Sequence, residues 1–264
     1  MSYRRKKSVE WLHLLSLLVI FISILLVWEA SLSYFDKLQF IFPPPSKIVS
    51  RIFKTPEFFL KHSLVTFTEM VCALSVAMIG SFILATIMLY SSLVSTVIQS
   101  LFVILQCLPM FLLAPLMLVC FGWSKLAIII PTAIMISFPL TLNIYRGLNS
   151  VTKEFLEFFK IHRSHFLQIL FYLRLPFALP QVFSGLRISI SVAGVSAVAG
   201  EWAGGQEGLG LLIQESRRNA DYTAIFGALV CLIVLSLVLY LGIYFIESLY
   251  QNYYLHINGT SKEN

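Results

Sequence analysis

Six stretches of this chain run for about the length of a bilayer span with almost no charge: Leu12–Leu32, Met70–Tyr90, Val94–Phe121, Leu126–Ile144, Val182–Ala199 and Ala224–Ile246. An α-helix needs about 20 apolar residues to cross the hydrocarbon core of a membrane. Inside that core no water is available to backbone N–H and C=O groups, so each stretch must satisfy them internally as a helix. The predicted fold class is therefore an all-α membrane protein with about six transmembrane helices. Composition agrees. The chain is 58% hydrophobic and 12% charged, with 22 Phe, whereas average soluble proteins carry about 25% charged residues. The first stretch is weakened by Glu29, and the fifth carries Ser and Gly with Arg187 near its start.

Arg4, Arg5, Lys6 and Lys7 precede the first stretch. No small-residue cleavage site follows its apolar run from Leu12 to Val27; the next residues are Trp28, Glu29, Ala30 and Ser31, so the segment reads as an uncleaved first helix with its basic end in the cytoplasm. Six spans place both termini on that side. The expected organisation is a single membrane domain over 1–264, with cytoplasmic stretches at 1–11, 146–181 and 247–264. The stretch after the fifth span fits an external position, with Glu201, Glu207, Glu215 and Asp221 against Arg217 and Arg218. The loop after the first span departs from the charge rule, because it carries Lys37, Lys47, Arg51, Lys54 and Lys61.

Pro109, Pro115, Pro131 and Pro139 interrupt the third and fourth stretches. Spanning helices tolerate proline when neighbours satisfy the freed carbonyls, so bent helices packed around a path are expected. Gly185, Ser189, Ser191, Ala193, Gly194, Ser196 and Ala197 on the fifth would permit close helix approach. Cys72, Cys107, Cys120 and Cys231 lie in apolar runs without metal-ligand spacing and read as small buried hydrophobes. Glu69 falls at the start of the second stretch, where an interfacial, solvated carboxylate is expected.

The net charge of +6 is dispersed after the N-terminal cluster, with no basic-aromatic array; it points to an anionic membrane surface and away from nucleic acid. The glycines at 204, 205, 208 and 210 lack the Lys-Ser or Lys-Thr of a phosphate loop. His162 and His165 have no evident third ligand, and no Ser-His-Asp set converges, so no metal, cofactor or catalytic residue is expected.

The connection Arg146–Arg187 is long and polar. Lys153–Leu170 has no Pro or Gly, and Phe155, Phe158, Phe159, Phe166 and Leu170 recur at helical steps among charged residues. Glu157 and Lys160 have the favourable i,i+3 order. Such an amphipathic helix could lie on a membrane surface or dock in a groove of another protein, and periodicity does not choose between them.

Glu154-Phe155-Leu156-Glu157-Phe158-Phe159 through Arg163, followed by Leu175-Pro176, resembles the EAA loop of binding-protein-dependent importers. Glu157 takes the Glu slot; Phe158 and Phe159 stand for the two alanines and Arg163 for the glycine. Pro109 with Ala114-Pro115-Leu116, Phe138-Pro139 with Asn143 and Tyr145, Pro43-Pro44-Pro45-Ser46, and Gly200-Glu201-Trp202 with Gly208-Leu209-Gly210 resemble, in order, segments of the nitrate, sulfonate, taurine and thiamine-precursor permeases. The resemblance implies a permease subunit of an ATP-binding cassette importer in a bacterial inner membrane. It implies partner ATP-binding subunits, a second permease copy, an external substrate-binding protein, and alternating access driven by the separate ATPase. It assigns ATPase coupling to Glu154, Phe155, Glu157, Phe158, Phe159, Lys160 and Arg163. Pathway or gate candidates are Pro109, Pro115, Asn143, Glu201 and Trp202, with Glu201 equally suited to closing a turn that anchors Trp202. Gly200-Glu201-Trp202 leans toward a thiamine pyrimidine precursor, with sulfonate, taurine, nitrate or riboflavin as alternatives. A secondary transporter working without an ATPase would need paired intramembrane charges and an internal repeat; neither is legible in the sequence.

Overall fold

The computed structural model describes Ser16, residues 19–32, 38–108 and 110–259. Among these residues the chain forms helices and turns and no strand. In order the helices are α1 (Val19–Leu32), α2 (Pro45–Lys54), α3 (Pro56–Met88), α4 (Ser92–Gln106), α5 (Met110–Phe121), α6 (Leu126–Leu148), α7 (Lys153–Ile161), α8 (Phe166–Gly204), α9 (Leu209–Arg218) and α10 (Tyr222–Gly259). Four of them, α3, α6, α8 and most of α10, are long and apolar enough to cross a membrane, and α1 and α4 are shorter apolar helices. Along α10, Ile233, Leu237, Leu241 and Phe245 are exposed. Water would not tolerate such a surface on a lone soluble chain, and lipid does.

The sequence expectation of a single helix over Val94–Phe121 is corrected. Two helices occupy it, α4 ending at Gln106 and α5 beginning at Met110. A proline removes an N–H donor and disfavours helical geometry in the residue before it, so the Pro109 position suits a break; Pro109 itself lies outside the described residues. Pro115, by contrast, is carried inside α5. The second span also starts earlier than hydropathy suggests, because α3 extends back to Pro56.

The described residues cluster into two compact units, one comprising the chain up to Leu60 with Leu212–Val230, the other Lys61–Leu211 with the chain from Cys231. In the first unit, α2 is short and amphipathic. Its N-terminus is closed by Glu29 of α1, which accepts from the Ser46 hydroxyl at 2.6 Å and the Ser46 N–H at 3.1 Å. Arg51 pairs with Asp221 at 3.2 Å, and Asp221 caps α10 by accepting from the Ala224 N–H. Trp28 and Phe42 both rest against Phe226.

In the second unit the core lies where α3, α6 and α8 meet. Ile129, Ala133, Ile136, Leu140, Ile144 and Leu148 form one buried stripe of α6 at helical spacing. Met70, Ala73, Ala77 and Ala85 of α3 and Ala178, Val182, Ala193 and Ala197 of α8 complete it. Small residues set the approach of α6 and α8. A Cβ on Gly147 would stand 2.9 Å from the Ala178 backbone, and one on Gly185 2.9 Å from Asn143 Cβ. Of the small residues expected to pack on the fifth span, Ser191 faces outward and the others are buried. Proline is accommodated as expected of a bundle. Pro139 has no N–H to give the carbonyl of Met135, and Gln106 of α4 donates to that carbonyl at 3.1 Å instead.

Two burial expectations fail. Cys72, Cys107 and Cys120 are exposed and Cys231 is half-buried; an apolar residue of a spanning helix has no preference for the interior when its outer face meets lipid. Glu69 is not solvated but buried, 2% exposed, within α3.

Candidate functional site

The connection between α6 and α8 is built from a short helix, a tight turn and a long helix. α7 starts at Lys153 behind Thr152, whose backbone is extended (φ −68°, ψ 156°). Glu154 occupies the first turn, and hydrogen bonds from its own backbone N–H and from the Thr152 hydroxyl hold its carboxyl below the usual range. A carboxylate is favoured there because the N–H groups of the first turn point at it.

No residue of α7 is buried. Leu156 and Phe159 are half-buried and turn toward the chain. Phe155, Phe158 and Ile161 are 49%, 57% and 78% exposed and share the opposite face at three-residue steps. Phe155 leans on Phe177 of α8, with ring centroids 5.7 Å apart, and Phe158 packs on His162 at 4.3 Å. Glu157 and Lys160 are exposed and form no ion pair with each other among the described residues.

The expected helix over Lys153–Leu170 ends at Ile161 instead. Arg163 adopts φ 54°, its N–H bonds the Lys160 carbonyl at 2.9 Å, and the Ser164 N–H bonds the Phe159 carbonyl at 3.1 Å. These two bonds form the Schellman C-cap, whose left-handed residue is usually glycine. The structure thus places Arg163 in a conformation that suits glycine. The next helix is fixed by Gln168, whose side chain accepts from the His165 N–H at 2.8 Å. Over Ile169–Arg174 the helix widens to π geometry, and Leu175 N–H bonds the Leu170 carbonyl five residues back. The widening precedes Pro176, which has no N–H to continue an α-type ladder. Arg174 ties this segment to the end of α6 by donating to the Leu148 carbonyl at 2.8 Å.

A second cluster sits at the other end of α8. Glu201 is fully buried. One carboxyl oxygen accepts from the Thr66 hydroxyl at 2.7 Å, and the other accepts from the Gly210 N–H. Thr66 also accepts from the Leu209 N–H at 2.8 Å, and His62, one turn earlier on α3, faces the Gly208 N–H at 3.1 Å. Glu201 therefore closes the turn between α8 and α9. Gly208 has φ 114°, and a Cβ there would strike the Glu201 carboxyl. Glu69 lies against the Glu201 carboxyl, and its Oε2 has no hydrogen-bond partner. It borders a cavity of about 100 Å³ with Trp123, Ser124 and Lys125. Glu207 beside this cavity pairs with Lys61 at 2.7 Å, and that hydrogen bond and charge hold its carboxyl below the usual range.

The other pathway candidates are dispersed. Asn143 is half-buried at the α6–α8 crossing, with its amide bonded to the Pro139 carbonyl at 2.7 Å. Pro115 and Trp202 are exposed, and Pro109 is outside the described residues. One ion pair joins two of the long apolar helices, Arg187 of α8 with Glu247 toward the end of α10. Sequence reasoning noted Arg187 but had no signal for its partner, which lies a whole span away.

Residues 77–251 match the family described as binding-protein-dependent transport system inner membrane component. The chain belongs to this family. A probable ABC transporter permease protein of Haemophilus influenzae is 35% identical over 88% of this chain and 95% of its own length. A formylaminopyrimidine transport permease protein of Halalkalibacterium halodurans is 28% identical over 87% of this chain and 92% of its own. A riboflavin transport system permease protein of Chloroflexus aurantiacus is 28% identical over 90% and 89%. This permease is thus a multi-pass membrane subunit of an ABC importer, in a family of transporters and not of enzymes.

Proposed function

We propose that this permease and a second copy of itself enclose the pathway of a small organic solute, opened alternately to either side of the membrane by a separate ATPase. α7 is the coupling helix. The observation that carries this reading is the outward row Phe155, Phe158 and Ile161, an apolar face on a helix too short and too polar at its ends to span. Such a face outside the spanning segments suits a protein groove, with the aromatic side chains as anchors. Glu157 and Lys160 flank it with charge, Glu154 opens the helix, and the Arg163 turn aims it. When ATP closes the ATPase pair, α7 is carried with its groove. Arg174 and the α6–α8 seam pass that movement to the spanning helices as a rigid body.

Residues 1–11, 146–181 and 247–264 face the cytoplasm in this account, within one permease domain of a bacterial inner membrane. A cysteine at Lys160, in a chain otherwise free of cysteine, would then resist an impermeant thiol reagent added to intact cells; ready labelling contradicts the topology. Glu201 and Trp202 belong to the opposite mouth, where the external binding protein delivers solute.

A pyrimidine precursor of thiamine is the favoured solute. The support is the Gly200-Glu201-Trp202 segment and a relative named for formylaminopyrimidine. Uptake assays in cells carrying the full importer test both levels. The Glu157→Ala, Phe158→Ala double variant should insert normally, lose ATPase on purification and lose uptake. Normal assembly and uptake in that variant would sink the coupling role. Uptake of riboflavin or a sulfonate, with none of the pyrimidine, would remove only the solute.

A further inference from the structure

The loop after α1 holds an unexplained excess of positive charge. Lys47, Ser50, Arg51 and Lys54 recur at i, i+3, i+4 and i+7 and form one face of α2. With Ser46, Asp221 and Thr223 they line an open pocket of about 520 Å³. Three cations line it with one carboxylate, and a second, Glu29, lies within electrostatic reach of Lys47. Asp221 is engaged by Arg51 and by the α10 N-terminus, and Glu29 is held by Ser46. Lys47 reaches the neutral Gln39 at 2.8 Å, and neither Lys47 nor Lys54 forms an ion pair among the described residues.

The position of the pocket is fixed by its neighbours. Glu29 stands in the last turn of α1 and Asp221 just before α10, so α2 lies level with the ends of two apolar helices. Next to the basic face α2 exposes Val49 and Phe53, and the preceding turn exposes Phe40, Ile41 and Phe42. An apolar edge beside a basic face, at the end of spanning helices, is the pattern of a helix lying in the membrane interface. Hydrocarbon would receive Phe53 and Phe42, which leaves Lys47, Arg51 and Lys54 at the depth of lipid phosphates.

We infer that this pocket binds the phosphate of an anionic membrane lipid. Arg51, oriented by Asp221, presents a guanidinium fork. Lys47 and Lys54 add charge from either side, and the Ser46, Ser50 and Thr223 hydroxyls suit the remaining phosphate oxygens. The site gives Lys47, Arg51 and Lys54, three of the loop cations that break the charge rule, a counter-charge in the membrane; Lys61 is paired with Glu207 instead. It does not depend on which solute is carried.

The test uses the purified full-length permease, delipidated and then titrated with phosphatidylglycerol or phosphatidylcholine, with bound lipid counted by native mass spectrometry. Wild type should retain phosphatidylglycerol over phosphatidylcholine. Lys47→Gln with Lys54→Gln should weaken phosphatidylglycerol binding by about five-fold per cation removed, while Lys47→Arg with Lys54→Arg preserves it. Single Lys54→Gln removes no hydrogen bond among the described residues, so its loss of lipid cannot be ascribed to unfolding. Unchanged phosphatidylglycerol binding in the Gln variants overturns the proposal. Displacement of the lipid by equimolar glycerol phosphate would make the site one for a soluble anion and also overturn it. A Gln variant with normal lipid binding but weakened external binding protein would assign the cations to an acidic protein surface and overturn it too.

Discussion

The backbone N–H of Arg163 donates to the Lys160 carbonyl at 2.9 Å while Arg163 holds φ 54°. For an L-residue with a Cβ the left-handed region costs about 1–2 kcal/mol, which glycine avoids. Part of the gain on substitution is returned through the greater freedom of glycine in the unfolded chain, by about 0.4–1 kcal/mol. Arg163→Gly is therefore expected to stabilise the permease by about 0.5–1 kcal/mol, and Arg163→Val to destabilise it by more. Thermal unfolding in a single detergent reads both. A Gly variant less stable than wild type would mean that the Arg163 side chain makes a contribution the turn geometry does not account for.

Glu201 ties α8 to α3 and to the α8–α9 turn through Thr66 and Gly210. Removing the carboxyl leaves buried donors without acceptors, at about 1–3 kcal/mol for such a group. Glu201→Ala should lower the unfolding midpoint clearly, and Gly208→Ala should do so as well, by pressing a Cβ on the same carboxyl at φ 114°. The two variants should not add, because both break one turn. Full additivity would indicate two independent defects.

Arg187 and Glu247 form the ion pair between α8 and α10, and Glu247 is 9% exposed at its side chain. Cutting one partner of a buried pair strands the other and costs up to about 3–5 kcal/mol, less for a part-buried pair such as this one; replacing both with apolar residues is often neutral. Arg187→Met and Glu247→Leu should each destabilise the chain, and the double variant should recover most of the loss. A double variant worse than either single one would refute a purely structural pairing.

The six apolar stretches were legible because a bilayer demands a run of apolar residues whatever the rest of the chain does. Helix ends were not. α3 reaches back through His62, Lys61 and Glu57 to Pro56, and a helix that leaves the hydrocarbon needs no apolar sequence to continue. The break between α4 and α5 was hidden because proline marks both a tolerated interior position, as at Pro139, and a stop. Rescue of Pro139 depends on Gln106, a contact between helices with no local signature. The motif at Glu201 could be seen, but burial of Glu69 could not, since its surroundings come from α8 and from the loop before α6. Arg163 was visible as a departure from the glycine of the pattern that this segment resembles; its positive φ, a value that favours glycine, could not be read from the sequence.

If α7 is the coupling helix, its exposed face seats in a separate ATPase. The most direct measurement places a single photo-crosslinking side chain at Phe158 or, as control, at Leu156 on the half-buried face, in the assembled importer within membranes. The probe at Phe158 should join the permease to the ATP-binding subunit, and the probe at Leu156 should not. Crosslinks from Phe158 that reach only lipid or the second permease copy, with the ATPase present and active, would contradict the coupling role.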